Sequence, residues 1–270
     1  MEPRTFQTPG EVQLQMRIPS GSVDVMLEDT PITVVEITGE RDPDDFTIVL
    51  DDLASGGLRV RVEQRGRKSF GWNASRDIRV RVKAPNGAAV SLDSGAADLS
   101  VLGDAGAITM RSGSGDLNFE RSDADVVAKV ASGDVRGRSV GGNLRAHGAS
   151  GDVNVSAVEG SVVARTASGD VTLGDVRGPT DAVTASGDVS IARVHTGRVH
   201  VQSMSGDVTV GVASGTRVWM DVSSTSGTTS SDLTVSDSSD DEAATLELRL
   251  STLSGDVRVT RSDTQRVGES

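Results

Sequence analysis

The sequence predicts an all-β chain, a single-stranded, right-handed-type β-solenoid of about 18 residues per coil with two short strands each, preceded by an antiparallel β cap region. Three observations predict it. Ser-Gly-Asp recurs with its glycine at Gly115, Gly133, Gly151, Gly169 and Gly187, always 18 residues apart, and looser copies follow at Gly206 and Gly255. A fixed period of this kind marks stacked repeats that cannot bury an apolar face alone. A second glycine, at Gly142, Gly160 and Gly178, falls nine residues after the first. It divides each repeat into two halves with period-two apolar alternation, as in Val153, Val155 and Val158, then Val162 and Ala164. Finally, aromatic residues are 2% of the chain and Tyr is absent, so the core must be built from Val, Ala and Leu, which suits thin β layers.

The elements follow in order. Residues 1–87 read as strands between turn residues (12–18, 23–27, 32–37, 46–50, 58–62 and 78–82), an antiparallel region expected to cover the first coil, because an open β end is a template for aggregation. Residues 88–260 read as the solenoid. Stacking at about 4.8 Å per coil, nine or ten coils would make a rod about 45 Å long. Core columns follow from the period: Val135, Val153, Val171 and Val189 in one, Val140, Val158, Val176 and Val194 in another. Aromatics have no room in so narrow an interior, so Phe119 and Trp219 are expected as end plugs. After Gly206 the spacing drifts, 230–244 is an acidic Ser- and Asp-rich loop, and 261–270 is a tail.

Composition excludes several chemistries. The absence of Cys removes disulfides, thiol nucleophiles and thiolate metal sites. Net charge is −12, yet residues 59–83 carry nine Lys or Arg against two acids, which leaves −19 on the rest and disfavours nucleic-acid partners. The opening residues hold no apolar run of signal-peptide length and no stretch approaches a membrane span, so the expected location is cytoplasmic, with peripheral contact to an anionic membrane surface. The basic segment near one end and the acidic loop near the other suggest weak, salt-sensitive head-to-tail self-association.

The strongest constellation is the column Asp116, Asp134, Asp152, Asp170, Asp188 and Asp207, with Asp256 further on. Carboxylates about 4.8 Å apart repel by roughly 1 kcal/mol even in water, so something must offset them. Asx-type caps, in which the Asp oxygen accepts a turn N–H, are the favoured explanation. Calcium is the alternative, since a nine-residue half-coil is the period of calcium-binding β-rolls. The corresponding positions of the other half, Asn143, Ser161, Pro179 and Arg198, leave few of the six to eight oxygens that calcium takes.

A second candidate is the loop carrying Arg65, Arg67, Lys68, Phe70 and Trp72, where cations beside two large rings suit docking to a partner or an anionic membrane. The competing reading folds Phe70 and Trp72 back as a cap. His147, His195 and His200 have no ligand-like companions in sequence, no serine forms a nucleophile elbow, and no metal or cofactor is expected.

The recurring Ala-Ser-Gly-Asp-Val-x-Val, the segments Thr8-Pro-Gly10 and Arg17-Ile-Pro-Ser-Gly-Ser-Val-Asp-Val25, and Ala244-Thr-Leu-Glu-Leu-Arg249 together resemble a bacterial family of β-strand-repeat proteins. That family, of unknown function, carries the label "putative adhesin" and is related to toast-rack domains of envelope-stress proteins. The Arg and Ala bias resembles its actinobacterial members. The resemblance implies a stack of β coils with no established enzyme activity and gives no functional residue to carry over.

These readings converge on a non-catalytic scaffold that presents polar ladders, such as Arg136, Asn154, Thr172 and Ser190, to an unidentified protein partner in cell-envelope stress. An exported adhesin or carbohydrate-binding rod and a calcium-binding β-roll are the alternatives. A polysaccharide-processing β-helix enzyme is disfavoured, because no cluster of acids and bases breaks the repeat at one place.

Overall fold

A computed structural model describes residues 2–39, 45–64, 78–233 and 245–262, and among them every regular element is a strand. The upstream strands are β1 (Arg4–Gln7), β2 (Val12–Glu28), β3 (Ile32–Thr38), β4 (Phe46–Asp52), β5 (Leu58–Gln64), β6 (Arg79–Pro85) and β7 (Ala89–Ala105). The regular middle is β8 (Ile108–Ser114), β9 (Leu117–Ser122), β10 (Val126–Ser132), β11 (Val135–Val140), β12 (Leu144–Ser150), β13 (Val153–Val158), β14 (Val162–Ser168), β15 (Val171–Val176), β16 (Thr180–Ser186) and β17 (Val189–Val194). Then come β18 (Gly197–Ser205), β19 (Val208–Ala213), β20 (Arg217–Ser226), β21 (Thr229–Ser231), β22 (Thr245–Ser254) and β23 (Val257–Ser262).

In the middle of the rod each coil pairs in parallel with the coil one repeat away. Strand β11 pairs with β13 so that Val135 faces Val153 and Val140 faces Val158, and the same 18-residue register continues through β15 and β17. The other face stacks likewise through β8, β10, β12, β14 and β16. The result is two parallel ladders joined at their corners around one continuous core. The expected valine columns are present, and one runs from Leu99 through Leu117, Val135, Val153, Val171, Val189 and Val208 to Val257, all buried. Burying each such side chain contributes about 1.5–3 kcal/mol before the cost of ordering the chain, so a coil is stable only between neighbours.

Phe119 is not an end plug. It is buried in the interior column Val101, Phe119, Gly137, Val155, and a Cβ on Gly137 would lie 2.0 Å from the ring. The missing side chain of one coil makes room for the large one of the next. Trp219 lies on the outer surface and is half exposed, with the Arg249 guanidinium 5.8 Å from its ring centroid.

The expected antiparallel region upstream of residue 88 is corrected in part. Strand β2 is itself a complete coil: it pairs in parallel with β7 along both halves, and on its other side with β5 and then β6. Among the described residues antiparallel pairing is confined to β4 on β5, β3 on β6 and β1 on β3. Counting the coil formed by β5 and β6, the described residues make eleven coils rather than nine or ten, because two of them come from the segment read as a cap.

Chain order and spatial order part company at both ends. The first coil in sequence, β2, lies between the coil β5–β6 and β7. The last in sequence, β22–β23, lies between β18–β19 and the terminal coil β20–β21.

Candidate functional site

The Ser-Gly-Asp corners form a hydrogen-bonded ladder. The Oδ1 of Asp116 accepts the backbone N–H of Asp134 at 2.8 Å, and Asp134, Asp152 and Asp170 do the same for Asp152, Asp170 and Asp188 at 2.8–2.9 Å. Asp188 serves Asp207, Asp207 serves Asp256, and Asp256 serves Thr228, each at 2.8 Å. The acceptor therefore reaches into the neighbouring coil instead of capping its own turn as expected. A hydrogen bond to a charged acceptor contributes about 1.5–3 kcal/mol, which exceeds the roughly 1 kcal/mol repulsion between adjacent carboxylates. Asp256 shows the effect: the N–H and hydroxyl of Thr228 hold its carboxyl below the ordinary carboxylate range, with Arg258 adding to the shift.

The glycines make this approach possible. Gly169 has φ +146°, and a Cβ there would lie 2.1 Å from the carbonyl oxygen of Gly151. Neither that backbone nor that contact admits a side chain.

The opposite corner carries a shorter version. Asp125 Oδ1 accepts the Asn143 N–H at 2.8 Å, and Asn143 Oδ1 accepts the Ser161 N–H at 2.9 Å and its hydroxyl at 2.7 Å. The series stops at Pro179, which has no N–H to give.

The sequence-predicted residues fall as follows. Asp116, Asp134, Asp152, Asp170, Asp188 and Asp207 stand in line along one edge, spread over successive coils. Among the described residues no three His, Cys, Asp or Glu side chains come together in a way that could hold a metal ion. The loop bearing Arg65, Arg67, Lys68, Phe70 and Trp72 lies outside the described residues, as does most of the acidic loop. The column Arg136, Asn154, Thr172 and Ser190 is exposed and in register. His195 Nε2 lies 2.8 Å from Asp175, which also meets Arg193 at 3.4 Å.

Sequence reading missed two features. Asp98 begins the ladder by accepting the Asp116 N–H at 2.9 Å. Its position 18 residues before Asp116 was the available signal, masked because Ala-Ala precedes it in place of Ser-Gly. The second feature is a column of cations on the face formed by β8, β10, β12 and β14, where Arg111, Lys129, His147 and Arg165 face each other in register and Arg145 stands beside them. His147 is half-buried, and its pKa is lowered first by that burial and then by Arg165, Lys129 and Arg145. Further along the same face an open groove of about 450 Å³ lies between Val163, Pro179, Asp181, His200 and Arg249.

Comparison with known proteins places this geometry. The family model Toastrack DUF4097 matches residues 14–260, nearly the whole chain. The protein belongs to the toastrack family. A search of curated proteins finds no match to this toastrack chain. Similar solved structures include a "putative adhesin" from Bacteroides fragilis (12% identity, TM-score 0.46, 95% of each chain covered) and another from Parabacteroides distasonis (14%, 0.46, 95% of each). A "putative lipid binding protein" from Parabacteroides distasonis is similar at 13% identity and TM-score 0.44, with 96% of each chain covered. The toastrack chain is thus a β-solenoid of a family whose function is unknown. Among its described residues no helix is long and apolar enough to cross a membrane.

Proposed function

We propose that this toastrack protein is a non-catalytic interaction scaffold of the cell envelope and its stress response, whose rigid outward columns recognise a protein partner. The column Arg136, Asn154, Thr172 and Ser190 carries the reading. Its members are exposed, stand one coil apart, and each follows a buried valine, Val135, Val153, Val171 or Val189, whose column fixes their spacing. The corner carboxylates are engaged in joining coil to coil, with Arg136 paired to Asp134 beside them, and a reaction needs unlike groups converging once.

A photo-crosslinking residue at Thr172 in cells is expected to yield one discrete product. Asn154→Arg should remove that product while the melting temperature of the purified protein stays unchanged. A product that survives Asn154→Arg, or none from any outward column, would refute the scaffold reading. Fractionation of the same cells tests the expected cytoplasmic location: recovery outside the cell favours an exported rod, and a salt-released membrane fraction supports the expected peripheral contact.

A further inference from the structure

The face made by β8, β10, β12 and β14 is opposite in character to the acidic corner it leads into. In register along it stand Arg111, Lys129, His147 and Arg165, one coil apart. Acids occur at the two ends of this stripe, Asp93 at 3.6 Å from Arg111 and Asp181 at 2.6 Å from Arg165. The middle is different. Among the described residues no carboxylate comes within ion-pair distance of Lys129 or His147, and the charged groups facing His147 are Lys129 on β10, Arg165 on β14 and Arg145 on its own strand, all cationic. Arg145 is 4.0 Å from Asp125. Like charges stacked at about 4.8 Å gain no hydrogen bonds from one another, in contrast to the Asp ladder, so an outside anion is drawn to the middle of the stripe.

We infer that this stripe binds a linear anionic polysaccharide lying along the rod axis, its acidic groups set against Lys129 and Arg145 and, on acidification, against His147.

Shape, and the surfaces in line with the stripe, select this occupant. A flat anionic membrane fits less well. The stripe is narrow, the Asp116 to Asp170 edge lies five positions further along each coil, and a planar surface would meet those carboxylates too. Beyond Arg165 the face continues into the open groove beside Pro179 and His200, and then to Trp219, whose half-exposed ring offers a stacking surface for a sugar. The lowered pKa of His147 adds a pH signature: the side chain is neutral near pH 7, and a bound polyanion favours its protonation. Binding should therefore strengthen as pH falls toward about 5, a range in which polyuronate carboxylates remain ionised.

The test is fluorescence anisotropy of the full chain with labelled polygalacturonate at low salt, with neutral dextran as control. Polygalacturonate should bind and dextran should not. Lys129→Ala combined with Arg145→Ala should weaken binding at least tenfold, while Arg138→Ala, exposed on β11 of the opposite face, leaves it unchanged and thermal melting confirms that all variants are folded. His147→Ala should abolish the gain on acidification. The inference fails if polygalacturonate does not bind, if Arg138→Ala weakens it as much as the double variant, or if polyglutamate or anionic phosphatidylglycerol vesicles bind the stripe more tightly. Failure there leaves the protein-recognition column unaffected, since it lies on the other face.

Discussion

The two corners of each coil face the same problem, a tight reversal with backbone N–H groups left over, and solve it to different depths. At the Ser-Gly-Asp corner one carboxylate per coil carries a ladder unbroken from Asp98 to Thr228. At the other the series Asp125, Asn143, Ser161 ends at Pro179. Both corners use glycine, but in the regular middle coils Gly133, Gly151, Gly169 and Gly187 of the first corner have positive φ while Gly142, Gly160 and Gly178 of the second have ordinary backbone; the second corner takes positive φ only where the repeat is irregular, as at Gly197. The comparison separates two requirements that the sequence merges into "glycine": room for a neighbour and a conformation closed to other residues.

Substitution at the two glycines should show that separation most strongly. Gly169→Val meets both a carbonyl oxygen at 2.1 Å and a φ of +146°. A loss of about 3–5 kcal/mol in denaturant unfolding is expected. Gly160→Val meets only crowding, with Gly142 O at 2.5 Å, and should cost less. Equal losses would mean that backbone conformation contributes nothing to the difference between corners.

Next in size is the ladder itself. Asp152→Ala leaves the Asp170 N–H without its acceptor and should cost about 1–3 kcal/mol, whereas Asp152→Asn keeps the acceptor and relieves repulsion from Asp134 and Asp170. Chemical denaturation should rank Asn close to the parent. If Asn were as damaging as Ala, the charge and not the hydrogen bond would be the essential feature.

The last carboxylate of the series gives a pH signature. Asp256 has its folded pKa depressed, so its contribution is present above the unfolded value and disappears as pH falls through the folded one. Melting temperature should drop on acidification below about pH 4, and Asp256→Asn should flatten that limb. The smallest effect belongs away from both corners: Asn154→Thr, exposed on the flat face, should leave the melting temperature within about a degree of the parent.

What could be read in the sequence follows the same division. The period fixes register, so the columns of Val135 and Val140 were legible residue by residue. Partner choice was not, because every coil presents the same pattern: nothing in the pattern around Gly255 says that its coil slips between those of Gly206 and Gly227. The same limit hid the target of the Asp oxygens, since a carboxylate in a turn signals an acceptor and not which N–H it takes. The cation stripe was illegible for another reason. Arg111, Lys129, His147 and Arg165 are 18 residues apart and unlike in name, so they become one surface only when the coils stack.

The threading of the final coil bears on how the chain is made. Synthesis proceeds from the N-terminus at about 5–20 residues per second, and a regular solenoid could add each coil as it emerges. Here β20–β21 leaves the ribosome before the segment that must come to lie beneath it, because β22–β23 occupies the place between it and β18–β19. The growing rod therefore cannot close its far end by simple accretion. A nascent chain halted before residue 245 leaves two edges without their native neighbours, and the emergence of β22–β23 acts as the step that commits the assembly.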